Sequence, residues 1–118
     1  MAGTTAANLG LVYGWAIADN FKTDMDADLL LIDRVLQLGV KGRATTAPPG
    51  SPVSGDRWIV PAGATGAWSG QTGKIAVYPP TGSTWIFITP KTGWVAFVEG
   101  ENKLTAYYGG AWSAGIAI

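Results

Sequence analysis

From residue 56 onward, apolar and polar positions alternate with period two in short runs. Arg57–Val60 (RWIV), Lys74–Tyr78 (KIAVY), Thr84–Thr89 (TWIFIT), Trp94–Glu99 (WVAFVE) and Lys103–Tyr108 (KLTAYY) each read as a β-strand. Turn residues separate them: Pro79-Pro80-Thr81-Gly82, Pro90-Lys91-Thr92-Gly93, Gly100-Glu101-Asn102 and Gly109-Gly110. Short strands at such close spacing predict a small antiparallel meander or sandwich. In Trp94–Glu99 one face carries Trp94, Ala96 and Val98, and the other carries Val95, Phe97 and Glu99. Both faces are mainly apolar, which predicts a central strand.

The period changes upstream. Thr23–Leu38 predicts the one good helix, with Thr23 or Asp24 as cap and Asp24, Asp26 and Asp28 in the first turn, where the helix dipole favours acids. Gly39 is the expected stop. Met25, Leu29, Leu30, Leu31, Ile32, Val35, Leu36 and Leu38 cover far more of the girth than a single stripe. Such a helix suits burial on two sides, as among identical helices around a symmetry axis. Leu29, Leu30, Ile32, Val35 and Leu36 are the candidate oligomerisation residues.

The expected class is therefore α+β, mainly β. Residues 1–40 form an N-terminal arm and oligomerisation helix, 41–55 a Pro-rich linker, and 56–118 an antiparallel β domain. In the arm, Leu9–Ala18 (LGLVYGWAIA) is apolar but broken by Gly10 and Gly14, which disfavour a helix. It packs either on its own chain or on a neighbouring subunit. Thr45-Thr46-Ala47-Pro48-Pro49-Gly50-Ser51-Pro52 predicts an extended path.

Composition narrows the function. Charged residues make up 14% of the 118, against about 25% in an average domain. Mean hydropathy is +0.20. So little charge points to a surface partly covered by partners. Eight basic and eight acidic residues balance, and no basic run supports nucleic-acid binding. Neither cysteine nor histidine is present, which removes thiol chemistry, disulfides, imidazole metal ligation and the commonest general base. No signal peptide is expected, and no apolar run nears the ~20 residues of a membrane span.

The remaining candidate chemistry is thin. Asp24-x-Asp26-x-Asp28 opens like a calcium loop, but Leu29 stands where glycine is needed and Val35 where the bidentate acid belongs. Helix-start acids account for the three aspartates. Gly70-Gln71-Thr72-Gly73-Lys74 lacks the spacing and following helix of a phosphate loop. Asp56 and Glu99 carry no sign of a paired-carboxylate cleft. The expectation is a non-enzyme without metal or cofactor. Six Trp and four Tyr raise carbohydrate stacking, with Trp68, Trp94, Tyr107, Tyr108 and Trp112 as candidates, against the simpler reading that they fill a small core. Four of the tryptophans follow small or polar turn residues, as in Gly110-Ala111-Trp112, where they can close hairpin ends.

Several motifs occur together and in order. They are Asn8-Leu9-Gly10-Leu11 with Tyr13-Gly14-Trp15, Met25-Asp26-Ala27-Asp28-Leu29-Leu30, and Thr46-Ala47-Pro48-Pro49-Gly50-Ser51-Pro52 with Gly55-Asp56-Arg57-Trp58-Ile59-Val60. Ala62–Trp68, Gly73–Ala76, Trp85-Ile86-Phe87, Thr89–Trp94 and Gly109–Trp112 follow. This order resembles an uncharacterised domain family of tail and fibre proteins in phages, prophages and gene-transfer-agent-like particles, over about Asn8–Trp112. The resemblance implies a tailed-phage virion component, made in the host cytoplasm, of the tail, fibre or baseplate, serving assembly or host adsorption. It brings no catalytic residues. It makes other virion proteins the partners and a trimer the first expected state. Leu11, Tyr13 and Trp15 become candidates for anchoring to the virion. The short chain fits a stand-alone module or adaptor. A glycan-binding adhesin and a capsid decoration or head fibre are the alternatives.

Overall fold

The computed structural model describes residues 4–14, 22–79 and 84–118. It is mainly β, with one α-helix among the described residues and several antiparallel sheets. The chain divides into two compact units, Met1–Leu36 and Gln37–Ile118.

In the first unit, β1 (Thr4–Thr5) and β2 (Val12–Tyr13) form an antiparallel hairpin, with Thr4 opposite Tyr13. The Ala6 N–H donates to the Leu11 carbonyl at 2.6 Å. Helix α1 spans Lys22–Val35. The hairpin meets it through the Val12 N–H, which donates to Asp28 Oδ1 at 2.9 Å. No described helix residue is buried.

The helix ends earlier than the apolar pattern predicts. Gln37 takes a left-handed conformation (φ +51°), so the expected stop at Gly39 is corrected. Leu38 and Val40 are buried in the second unit, and the Leu38 carbonyl accepts the Phe97 N–H at 2.9 Å. Sheet pairing there outweighs another helical turn, and the unit boundary falls at Leu36 rather than after residue 40.

The second unit contains β3 (Gly39–Val40), β4 (Arg57–Ile59), a 3-10 turn (Gly66–Trp68), β5 (Ile75–Val77), β6 (Ile86–Ile88), β7 (Val95–Val98), β8 (Lys103–Tyr108), β9 (Ala111–Trp112) and β10 (Ile116–Ala117). One sheet runs β10-β8-β7-β3, with β9 also on β8; the other runs β4-β5-β6. The β3–β7 pair is parallel, an exception to the expected antiparallel meander. Strand β7 is central, as its two apolar faces predict. The Pro-rich segment belongs to this unit: Lys41 N–H donates to the Arg57 carbonyl, and Thr65 N–H to the Thr46 carbonyl. The turn at Gly109-Gly110 has both residues at positive φ (+61° and +81°), the geometry that joins two strands by two residues.

Three layers follow from side-chain alternation. Val40, Ala96 and Val98 of one sheet pack on Ile59, Ile75 and Val77 of the other, with Leu38 beside them. On the far side of β4-β5-β6, Trp58, Ala76 and Phe87 are cross-strand neighbours. There they meet Val60, Trp85 and the fully buried Trp68. The Trp68 ring lies edge-on to Trp85 at 5.2 Å and tilted to Trp58 at 6.1 Å. The glycine-rich loop of residues 61–73 thus places a slab over the middle sheet. Burying an indole of ~150–250 Å² is worth roughly 4–6 kcal/mol.

Candidate functional site

Three features stand out: a side-chain clasp, a bare helix stripe and a bare sheet face. The clasp centres on Arg43, which leaves the Pro-rich segment and reaches the C-terminal hairpin. Its Nε and Nη2 donate to the two carboxylate oxygens of Glu101, at 2.8 and 2.9 Å. Nη1 donates to the Ser113 carbonyl and Nη2 to the Ala114 carbonyl, each at 2.7 Å. Nη1 also reaches Thr105 Oγ1 at 3.3 Å. The buried Thr105 hydroxyl in turn donates to the Ser113 carbonyl at 2.7 Å. The Arg43 hydrogen bond holds the Glu101 carboxyl below its usual range, and Glu101 raises the guanidinium further. The fork geometry needs arginine. Its donors are already engaged, so it acts as a staple.

On α1, Asp24, Asp28, Leu31 and Val35 share the side that meets the hairpin. Met25, Leu29 and Ile32, with Leu36 just past the helix end, form the adjacent stripe, at spacings of four, three and four. Leu29 is 60% and Leu36 67% exposed, with Met25 and Leu30 also exposed and Ile32 and Val35 half-buried. Of the arm residues, Leu11 is half-buried and Tyr13 exposed. Trp15 lies outside the described residues.

The outer face of the β10-β8-β7-β3 sheet is the second bare surface. Val95 and Phe97 of β7, Leu104, Ala106 and Tyr108 of β8, and Ile116 of β10 point away from the core. Leu104 stands opposite both Phe97 and Ile116. An antiparallel sheet facing water normally carries polar side chains there. Here Tyr108 is 64% and Ile116 73% exposed, with Val95 and Leu104 also exposed. Val95, Leu104, Tyr108 and Ile116 line an open groove of about 460 Å³.

The aromatic set is dispersed. Trp68 presents no face to solvent, because it fills the third layer. Trp94 is half-buried against the first core cluster. Trp112 is half-buried, stacks edge-on with Tyr107 at 5.2 Å and donates its Nε1 proton to the Gly73 carbonyl at 2.8 Å. It closes a hairpin end, as its position after Gly110-Ala111 predicts. Only Tyr108 of the set is largely exposed.

Among the described residues, no group of three or more acids could hold a metal ion, and no helix is long and apolar enough to cross a membrane. Nothing in the sequence marks the clasp: Arg43 follows Lys41 at the head of a Thr- and Pro-rich stretch, far along the chain from its partners. No curated protein matches the chain. A family model does match, over residues 25–113, and the chain belongs to that family, described as a protein of unknown function (DUF2793).

Proposed function

We propose that the chain is a non-enzymatic structural subunit of a tailed-phage virion, in the tail, fibre or baseplate region, where it serves assembly or host adsorption. The observation that carries the subunit reading is the pair of bare apolar surfaces, one on each unit: Leu29 on the helix with Leu36 just past its end, and Tyr108 and Ile116 on the sheet. Exposed apolar residues scattered singly are ordinary, but a continuous face marks an interaction surface. The low charge content agrees. The virion assignment draws on the motif order described above. A homotrimer is the first expected state, with other virion proteins as neighbours.

The adhesin alternative draws less from the geometry. Stacking on a sugar wants several exposed rings side by side, and of the aromatic set only Tyr108 offers one. The test is biochemical fractionation. Particles purified from the producing cells by density gradient are probed with an antibody to this chain, and the chain is located on them by electron microscopy. Co-sedimentation at fixed stoichiometry, with label on the tail or fibre, is expected. Label on the head would replace this reading with the capsid-decoration alternative. Recovery only in the particle-free fraction overturns it.

A further inference from the structure

Within the second unit, backbone hydrogen bonds leave one long sheet edge open. The chain beyond β3 continues onto β4: the Lys41 N–H donates to the Arg57 carbonyl at 2.7 Å, and the Ile59 N–H to the Gly42 carbonyl at 3.1 Å. The strands therefore run on as β10-β8-β7-β3-β4-β5-β6, with β9 also on β8. One end of this series is β6, and the other is β9 with β10. Strands β9 and β10 have two residues each, and Gly115, at φ +91°, bends the chain just before β10. An edge so short and bent offers little to a further strand. Strand β6 differs.

Register fixes which of its backbone groups are free. Between β4 and β5 the Tyr78 N–H donates to the Asp56 carbonyl at 2.9 Å and the Val60 N–H to the Lys74 carbonyl at 3.0 Å. Bonded pairs alternate in an antiparallel ladder. Ala76 thus turns its N–H and carbonyl to Trp58, while Ile75 and Val77 turn theirs to Ile88 and Ile86. On β6, Phe87 then points both groups outward, and no other described residue bonds them. The side chains supply no guard either. Exposed edges are commonly blunted by charge or proline, yet residues 75–90 contain no charged residue, and Pro90 comes only after the strand. Trp85-Ile86-Phe87-Ile88-Thr89 is β-favouring, uncharged and free of glycine and proline. A bare edge of that composition is a template for another strand.

We infer that β6 of one copy pairs antiparallel with β6 of a second copy, about a two-fold axis at Phe87. The occupant is a second copy because this edge complements itself. Phe87 offers one outward donor and one outward acceptor, and a two-fold pair exchanges both. Its ring, half-buried beside the tryptophan layer, then meets the ring of the other Phe87, an aromatic cross-strand pair. Trp85 falls opposite Thr89, and Ile86 opposite Ile88. No charge is buried and no like charges meet. The three-stranded β4-β5-β6 sheet becomes six strands across the axis. One short strand contributes less than the ~1,200 Å² of a stable interface, so the pair is weak. This contact stands on the second unit alone, needs no virion assignment, and is separate from any contact that builds a trimer.

Residue-resolved amide hydrogen exchange of the wild-type chain reads the pair directly. The Phe87 amide is open in a single copy and bonded in the pair, whereas the Ile86 and Ile88 amides are bonded in both. With dissociation on the order of 50 μM, Phe87 exchange should slow at least ~3-fold between ~20 μM and ~1 mM, with Ile86 and Ile88 protected throughout. A charge swap locates the axis. Phe87→Lys and Phe87→Glu each set like charges opposite one another, so each alone is monomeric by sedimentation at ~0.5 mM, and an equimolar mixture recovers the dimer. Far-ultraviolet circular dichroism checks both folds; where a variant fails to fold, the exchange measurement decides. Phe87 exchange that does not change with concentration overturns the inference, whatever mass the wild type shows. So does the absence of rescue between folded variants. Protection of Phe87 only in purified particles assigns the edge to another virion protein, which also overturns the self-pair and leaves the virion reading standing.

Discussion

Replacing Arg43 with alanine tests whether a single side chain holds the C-terminal hairpin onto the rest of the second unit. The fork makes two charge-assisted bonds to Glu101 and one each to the Ser113 and Ala114 carbonyls, all at 2.7–2.9 Å. The ion pair itself sits near the surface and counts for little, ~0–1 kcal/mol. The carbonyl bonds matter more, because a hydrogen bond to a charged donor is worth ~1.5–3 kcal/mol. Water can reach Ala114, which is exposed, and recovers part of that. Thr105 also keeps its own bond to the Ser113 carbonyl. The expected loss is therefore about 2–3 kcal/mol for R43A and about 1–2 for R43K, which keeps charge but not the fork. Urea unfolding followed by tryptophan emission reads it well, since five of the six tryptophans lie in the second unit. The corresponding drop in Tm is roughly 10–20 °C. A loss below ~0.5 kcal/mol for R43A, the scale of an ordinary surface change, refutes the clasp as a stabilising element.

The acid dependence of the clasp has a definite sign. Glu101 titrates below its unfolded value of about 4.3, chiefly through the Arg43 hydrogen bond. Its contribution is full above that value and is lost as pH falls through the lowered folded pKa. The gap in urea midpoint between wild type and Glu101→Gln should stay constant above pH ~5 and shrink below pH ~4; a gap unchanged at pH ~3 contradicts this. Gly115 has φ +91°, and a Cβ there would lie 3.1 Å from the Leu104 carbonyl. Gly115→Ala should cost about 2 kcal/mol or more, and Gly63→Ala, at φ +76° with open space around it, about 1; equal Tm values for the two variants argue against crowding at Gly115. Trp68→Ala empties the aromatic layer and should cost ~3–5 kcal/mol, enough to leave little folded protein by circular dichroism at 37 °C, so near-wild-type melting would show that this layer is dispensable.

The five period-two strands were legible because each carries apolar residues on alternate positions within one short run. All five form; Lys103–Tyr108 is unchanged, Arg57–Ile59 is shorter by one residue, and the other three are trimmed by one or two residues at each end. What stayed hidden was too short or too distant to leave a pattern. Strand β3 has two residues, Gly39 and Val40, and its neighbour Leu38 continues the helical apolar pattern. Read locally, Leu38 belongs to the helix. Its assignment is settled by β7, far along the chain, whose Phe97 N–H it accepts. Strands β9 and β10, of two residues each, show no period either. The Arg43 clasp joins positions 58 to 71 residues apart, so no spacing rule could assemble it.

The exposed apolar surfaces were half legible, for an instructive reason. A helix apolar over too much of its girth can be seen in sequence, but the sequence cannot tell which side its own chain covers. The hydrogen bond from Val12 to Asp28 settles one side and leaves the stripe of Met25, Leu29, Ile32 and Leu36 beside it. The sheet face was concealed by a reasonable inference. Two apolar faces on Trp94–Glu99 predict a central strand, and β7 is central, yet its Val95 side lies open. Centrality in a sheet and burial on both faces are separate properties, and residues 95, 104 and 108 have the first without the second. A surface of that composition, on a chain with so little charge, is the ground on which the proposed subunit role stands.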